Sequence, residues 1–345
     1  MGLAMIYYLS REDYTQPIAD LLEGLGRDGR FIRSDSYERL FYERRAPLGH
    51  YVFTDFDRLT SYELESACSF AAALQRQAPQ ARIYNHPTRV LERYPLLRKL
   101  ADEGLNSFAV TRFDAGERPE RYPVFIRLED DCQGPDSPLI HDAEQFEQAL
   151  ASLAAQGKPA KRRIAVEFCA EQDGDGYYRK YGAFNLCGRI VPQHILRSTD
   201  WNVKRSHLTS DADFAAEELA FARDNPHQRE LQRIFALARI DYGRIDYGVV
   251  KGAIQTYEIN TNPTYPDFKH KSSDARQERR ELVRRLVLEG LRALDVRELR
   301  GPRFAFALPE PVLEDPRLPR HGTLRAWLVG VRNRANRFRA RRRRR

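Results

Sequence analysis

The sequence predicts a chain of mixed α/β and α+β class, with several lobes around one cleft. Three observations predict it. Residues 5–87 alternate strand, helix, strand, helix, strand, the order of a small parallel unit whose functional loops leave the carboxyl ends of its strands. Later segments read as antiparallel strands joined by tight turns, with isolated helices between them. At 345 residues the chain also exceeds one average domain, so two or three lobes are expected.

In the first unit the strands are Met5–Leu9, His50–Phe56 and Arg82–Pro87, and the helices are Pro17–Leu25 and Tyr62–Gln77. The unit has no Gly-x-Gly-x-x-Gly, so no dinucleotide is assigned to it. A helix from Thr88 to Glu103 is expected to stop at Gly104, a C-cap glycine, and Pro95 threatens to split it. Ser107–Arg112 and Tyr122–Leu128 are strand-like, and the loop Glu129–Pro138 separates them from a helix over Asp142–Gln156. Asp142 and Gln145 have the spacing of a capping box. Ile164–Cys169 is a further strand, and Cys187-Gly188 turns Tyr177–Leu186 back into Arg189–Leu196. Helices over Asp213–Arg223 and His227–Ala238 precede a last hairpin. A long helix over Asp274–Leu294 follows, with Leu282, Val283, Leu286, Val287, Leu291 and Leu294 along one stripe. The rest is rich in proline and arginine and is expected to be poorly ordered, with a short helix near Leu324–Val331.

Composition excludes several classes. The four cysteines, Cys68, Cys132, Cys169 and Cys187, form no Cys-x-x-Cys pair, so buried reduced thiols are expected rather than zinc or disulfides. No apolar run has the length of a membrane span, and the first residues lack the pattern of a secretory signal. A soluble, cytoplasmic protein is expected. The net charge of +8 is concentrated in Arg332–Arg345, which holds nine arginines and no acid. Basic character therefore belongs to this tail, which suits nucleic acid or another anionic surface, or serves only as a solubilising extension.

The chemistry is concentrated in the hairpin Arg244–Pro263. Its arms join at Lys251-Gly252, so Asp246, six residues before Gly252, comes opposite Glu258, six residues after it. Thr256, Glu258 and Asn260 have one parity and are expected on one face. Two carboxylates and an amide oxygen suit a hard cation such as Mg2+, which keeps waters and shares ligands with phosphates.

Taken with this hairpin and its following Asn262-Pro263, the order of lobes resembles that of the ATP-grasp ligases, nearest in pattern to glutamate-adding ligases and glutathione synthetases. The resemblance implies an ATP-grasp fold. Residues 1–87 would be a Rossmann-like pre-ATP-grasp unit, 88–163 a linker helix and lid, 164–296 the C-terminal lobe, and 297–345 the Pro/Arg-rich extension with its polybasic tail. It implies ATP and Mg2+, one ion or two, with Mn2+ as a substitute, held by Asp246, Glu258 and Asn260. Val166–Cys169 resembles the strand that reads adenine, with Glu167 and Phe168 lining the pocket and Asp175 reaching the ribose. Arg93 and Arg127 stand where the family usually has lysines, and keep the charge with a bidentate geometry. Arg127, Arg179 and Arg197 are the implied catalytic arginines, and Lys204 an implied polar contact. The loop Glu129–Pro138 has one glycine, Gly134, so it is poorly suited to cradle phosphates and is expected to face a cationic or amine substrate.

The implied reaction activates a small-molecule or peptide carboxylate as an acylphosphate and joins it to an amine or thiol. Thr54, Asp55, Asp57 and Asn85 are the expected acceptor-pocket residues. Two alternatives remain: a small-molecule kinase on the same scaffold, and a non-catalytic nucleotide- or nucleic-acid-binding module.

Overall fold

The computed structural model describes residues 6–131, 134–204, 212–268, 274–294, 299 and 301–309; the polyarginine tail and the helix expected near residues 324–331 lie outside them. In chain order the elements are β1 (Ile6–Ser10), α1 (Gln16–Leu25), β2 (Ile32–Ser36), α2 (Tyr37–Glu43), β3 (Arg45–Ala46), β4 (His50–Phe53), α3 (Ser61–Gln77) and β5 (Ile83–Tyr84). Then come α4 (Arg93–Asp102), β6 (Val110–Thr111), β7 (Val124–Leu128), α5 (Ala143–Ala155), β8 (Arg163–Glu167), β9 (Tyr178–Leu186) and β10 (Arg189–Ser198). The chain closes with α6 (Ala212–Asp224), α7 (Gln228–Ala238), β11 (Tyr242–Val250), β12 (Ala253–Asn260), α8 (Asp274–Arg292) and β13 (Phe304–Ala305). Among the described residues no helix is long and apolar enough to cross a membrane.

The first sheet has the order β2-β1-β4-β5 and is parallel. Strands β1 and β4 are buried at every residue, because helices cover both faces. On one face Ile6 and Tyr8 pack with Ile18 and Leu21 of α1 and with Val283, Val287 and Leu291 of α8. On the other, Leu9 and Phe53 meet Phe70 and Leu74 of α3, whose start is fixed by a Thr60–Glu63 capping box. Strand β2 and helix α2 escaped the sequence reading. At this edge Arg33 and Ser34 are exposed, so no apolar run marks the strand, although Ser36 caps α2 by accepting the N–H of Arg39.

Helix α4 starts at Arg93, five residues later than the pattern suggested, which places Pro95 in its first turn, where a missing N–H breaks no helical bond. Strands β6, β8 and β7 form a small antiparallel sheet on which α5 packs through Phe146 and Leu153. Arg163–Glu167, at the point where the C-terminal lobe was expected to begin, pairs with β6 and β7 in this small sheet. Asp142 caps α5 through the Gln145 N–H, as its spacing suggested; Gln145 Oε1 instead accepts from His141.

The large sheet, order β10-β9-β11-β12, is antiparallel. Both hairpin turns carry positive φ at their two central residues, Cys187 and Gly188, then Lys251 and Gly252, the type I′ pattern that suits strand twist. Helix α8 ties this sheet to the first unit, since Phe184, Leu186 and Val191 share the cluster of Val283 and Leu291. The extension is ordered at its start: β13 pairs with β3, and Phe304 stacks on Phe70 with centroids 6.0 Å apart. Of the cysteines, Cys68 and Cys169 are half-buried and Cys187 is surface-exposed at its turn, against the buried thiols expected. Cys132 lies outside the described residues.

Candidate active site

Between the small β6-β8-β7 sheet and the large sheet lies a cleft of about 150 Å3. One end is aromatic. Trp201 stands 5.2 Å from Phe125 and 5.7 Å from Phe168, and Phe168 is 6.3 Å from Tyr178, ring centre to ring centre. Such a set suits a flat, apolar ring. Phe168 was expected here; Trp201 and Phe125 were not singled out. The other end is charged, and hairpin register builds it. Asp246 pairs directly with Glu258, as residue counting from Gly252 required.

The register also corrects one expectation. It slips beyond Asp246, so that Tyr247 faces Thr256 and Tyr257 is the extra residue of a bulge. Tyr257 and Glu258 consequently both line the cleft, whereas Thr256 is fully buried with its N–H and carbonyl bonded to Asn106. Thr256 does not share the face of Glu258.

Asp246 is nearly inaccessible, and its two oxygens take different cations: Lys180 Nζ at 3.1 Å and Arg244 Nε at 2.9 Å. Burial pushes its carboxyl up, but Arg244 and Lys180 outweigh that and hold it well below the usual carboxylate range. Glu258 is bonded by Arg93 Nη2, with Arg127 Nη2 3.8 Å away. Burial is again outweighed, here by Arg93 and Arg127, and the carboxyl is depressed. Asn260 accepts the N–H of Asn262 on Oδ1 at 2.8 Å, which leaves that oxygen one lone pair. No group of three His, Cys, Asp or Glu stands together among the described residues. Two facing carboxylates with one amide oxygen nevertheless fit a hard, water-keeping cation, provided the cations now on the carboxylates exchange for it.

The remaining expected residues divide between cleft and surroundings. Arg93 and Arg127 are in the cleft, yet much of their capacity is used on the end of β7 and the loop after it. Arg93 Nη1 donates to the carbonyls of Leu128, Glu129 and Asp131, and Arg127 Nη2 to that of Asp131 at 2.7 Å. Arg179 stands at the rim and binds Asp173, Asp175 and Glu217 at 2.6–3.1 Å. Asp175 is thereby pinned, its carboxyl lowered to about 2 by Arg179. Arg197 lies apart from the cleft lining, with its guanidinium 4.1 Å from the ring centre of Phe214 and 4.9 Å from that of Tyr177. The Glu167 carboxylate turns away to Ala109 N and Arg121. Lys204 crosses Gly134 so closely that a Cβ there would stand 2.5 Å from its Nζ.

Lys180 and Arg244 are the functional candidates the sequence reading missed. Arg244 precedes Asp246 by two and shares its strand face. Lys180 precedes by two the residue that pairs with Asp246, Gly182. Of the expected acceptor residues, Asn85 is buried and bonded to Phe53, Asp241 and Tyr242, and Thr54 to the carbonyl of Leu9. Both hold strands together. Asp55 joins the first unit to the hairpin end, accepting from Arg11 N and Asn262 Nδ2. Burial raises its carboxyl to about 7 against these hydrogen bonds. Asp57 opens onto a side cavity of about 50 Å3 with Glu92, Arg93, Glu129, Glu258 and Asn260.

No protein-family model matches the sequence, and no curated protein matches it. The chain is similar to solved structures of ATP-grasp ligases. A D-alanine–D-alanine ligase from Bacillus anthracis in complex with ATP superimposes with a TM-score of 0.47 at 11% identity, over 84% of this chain and 98% of that one. The ATP-grasp ligase PsnB with a minimal precursor gives 0.47 at 11%, over 85% and 99%. The D-cycloserine synthetase DcsG gives 0.42 at 16%, over 82% and 100%.

Proposed function

We propose that the chain is an ATP-grasp ligase that uses MgATP to activate a carboxylate as an acylphosphate and joins it to an amine or thiol. The observation that carries this reading is the Asp246–Glu258 pair facing into a cleft with an aromatic slot at its other end. The contacting rings of Trp201, Phe125 and Phe168 offer a purine an apolar surface to lie against, and the triphosphate would then run toward the charged end. Asp246, Glu258 and Asn260 would hold the cation, which when bound supplies neutralisation of phosphate charge. Lys180, Arg244, Arg93 and Arg127 ring the two carboxylates. Released from them, these side chains place positive charge where the transferred phosphoryl group and the acyl oxygen gain negative charge. Strand register keeps Lys180 and Arg244 near that charge, and the carbonyls of Leu128, Glu129 and Asp131 keep Arg93 and Arg127 near it.

The test is trapping. With ATP, Mg2+ and a panel of amino acids, hydroxylamine should intercept the acylphosphate as a hydroxamate while ADP is released. ADP release with a phosphorylated alcohol and no hydroxamate would select a kinase instead.

A further inference from the structure

Away from the cleft, a second cavity of about 510 Å3 lies where the segment after β5 meets α7 and the turn between β9 and β10. It shares no lining residue with the cleft. Buried Phe235 and Ile240 give it an apolar part, and His86, Arg89, Arg239 and Asp241 give it its charge.

The three basic side chains are available to a ligand. His86 Nδ1 accepts the N–H of Thr88 at 3.3 Å, so the ring proton sits on Nε2, which is left as a donor. Burial and the neighbouring Arg89 guanidinium lower the imidazole below its ordinary range and keep it neutral. Arg89 and Arg239 are exposed, and neither guanidinium has a hydrogen-bond or ion-pair partner among the described residues. Arg239 is held at the mouth by the C-cap of α7, where its backbone takes φ 58 and its N–H bonds to the carbonyls of Phe235 and Ala236. Asp241, the one acid of the lining, accepts the N–H of Asn85 on Oδ2 at 2.9 Å and pairs with neither arginine. Elsewhere in the chain Arg93, Arg112, Arg121 and Arg179 each take a carboxylate. Two guanidiniums left without one in a single concavity attract an anion and can hold its oxygens bidentately.

We propose that this cavity binds a small organic oxyanion, a carboxylate or a phosphate ester, whose head takes Arg89, Arg239 and the His86 Nε2–H while its apolar body lies against Phe235 and Ile240. The site stands apart from any reading of the cleft. Sequence reading set His86 aside as structural, because Arg239 reaches the same cavity from far along the chain.

Arginine footprinting on the full chain tests it. Phenylglyoxal is added with phenyl phosphate, with benzoate, or with sodium chloride at equal ionic strength, and modification is read at each arginine by peptide mass spectrometry. Relative to chloride, at least one of the two aromatic anions at about 5 mM should slow modification of both Arg89 and Arg239 roughly fivefold, with Arg33, exposed on β2, changed less than about twofold. Protection by phenyl phosphate alone, by benzoate alone or by both supports the site and names the head it takes. His86→Ala should raise the concentration needed about fivefold, as loss of one hydrogen bond to a charged group implies. Protection no greater than with chloride, protection of Arg33 equal to that of Arg89 and Arg239, or full protection retained in His86→Ala would overturn the proposal. The wild-type footprint decides even if the variant fails to fold.

Discussion

The two walls of the cleft hold their charges by different means. On the large sheet, Lys180, Arg244, Asp246 and Glu258 are placed by strand register, each one a pairing or two residues from the next. On the opposite wall, Arg93 at the start of α4 and Arg127 on β7 reach inward from elements that meet only in three dimensions, and they grip the carbonyls of Leu128, Glu129 and Asp131 as well as Glu258. The sheet wall is thus a fixed array, whereas the arginine wall is a clamp whose grip includes a metal-ligand candidate. A cation arriving at Glu258 must loosen that clamp. A magnesium nucleotide bound as proposed would therefore be coupled through one carboxylate to the grip of Arg93 and Arg127.

Substitutions should separate these roles. The largest effect is expected from Glu258→Gln, which keeps shape and removes the charge shared by both walls. Mg2+-dependent ATP turnover should fall roughly a thousandfold or more, as for loss of a group that stabilises developing charge, with circular dichroism unchanged. A fully active variant would break the assignment.

Next comes Asp55, at the junction of the hairpin with the first unit. Its carboxyl is raised to about 7, so between about pH 4 and pH 7 the folded chain keeps a proton that the unfolded chain releases. Stability from this site is therefore present at low pH and declines as pH rises through that window, by at most ~4 kcal/mol. Asp55→Asn, which tolerates the left-handed backbone at φ 57, should flatten the slope in urea melts. An unchanged slope would show that Asp55 ionises freely.

Asp246→Asn tests the sheet wall by leaving Lys180 and Arg244 without their partner. A cost of about 3 kcal/mol is expected in the same melts, as for breaking a buried pair. On the arginine wall, Arg93→Ala should act locally: amide exchange at residues 128–131 should quicken by an amount equivalent to about 1–2 kcal/mol, with global stability little changed. If global stability falls as far as in Asp246→Asn, the contrast between array and clamp is wrong. Arg179→Ala should matter least. Its partners Asp173, Asp175 and Glu217 are substantially exposed, so less than about 1 kcal/mol and a small change in turnover are expected.

The same contrast explains what was legible in the sequence. Alternation and turn chemistry are local, so the position of Asp246 opposite Glu258, both I′ hairpins and the stripe on α8 could be read by counting. The bulge at Tyr257 could not, because a single inserted residue leaves the hydrophobic pattern intact while shifting the register beyond it. Edge strand β2 was hidden by its polar, exposed positions. Arg197 and Arg179 sit on suitable strands, but aromatic faces and surface acids bind them, and those partners come from α6 and from the loop before β9. Lys180 was in reach of the same counting that paired the carboxylates. Applying it to β9 as well as β12 would have found it.

The central claim is that the hairpin carboxylates bind the cation of a magnesium nucleotide. Isothermal titration of AMPPNP, with and without Mg2+, into the wild-type chain and into the Asp246→Asn, Glu258→Gln double variant tests it most directly. Binding should depend on Mg2+ in the wild type and lose that dependence in the variant, leaving only the weaker metal-free binding through the aromatic slot. Equal Mg2+-dependent affinity in both proteins would contradict the claim.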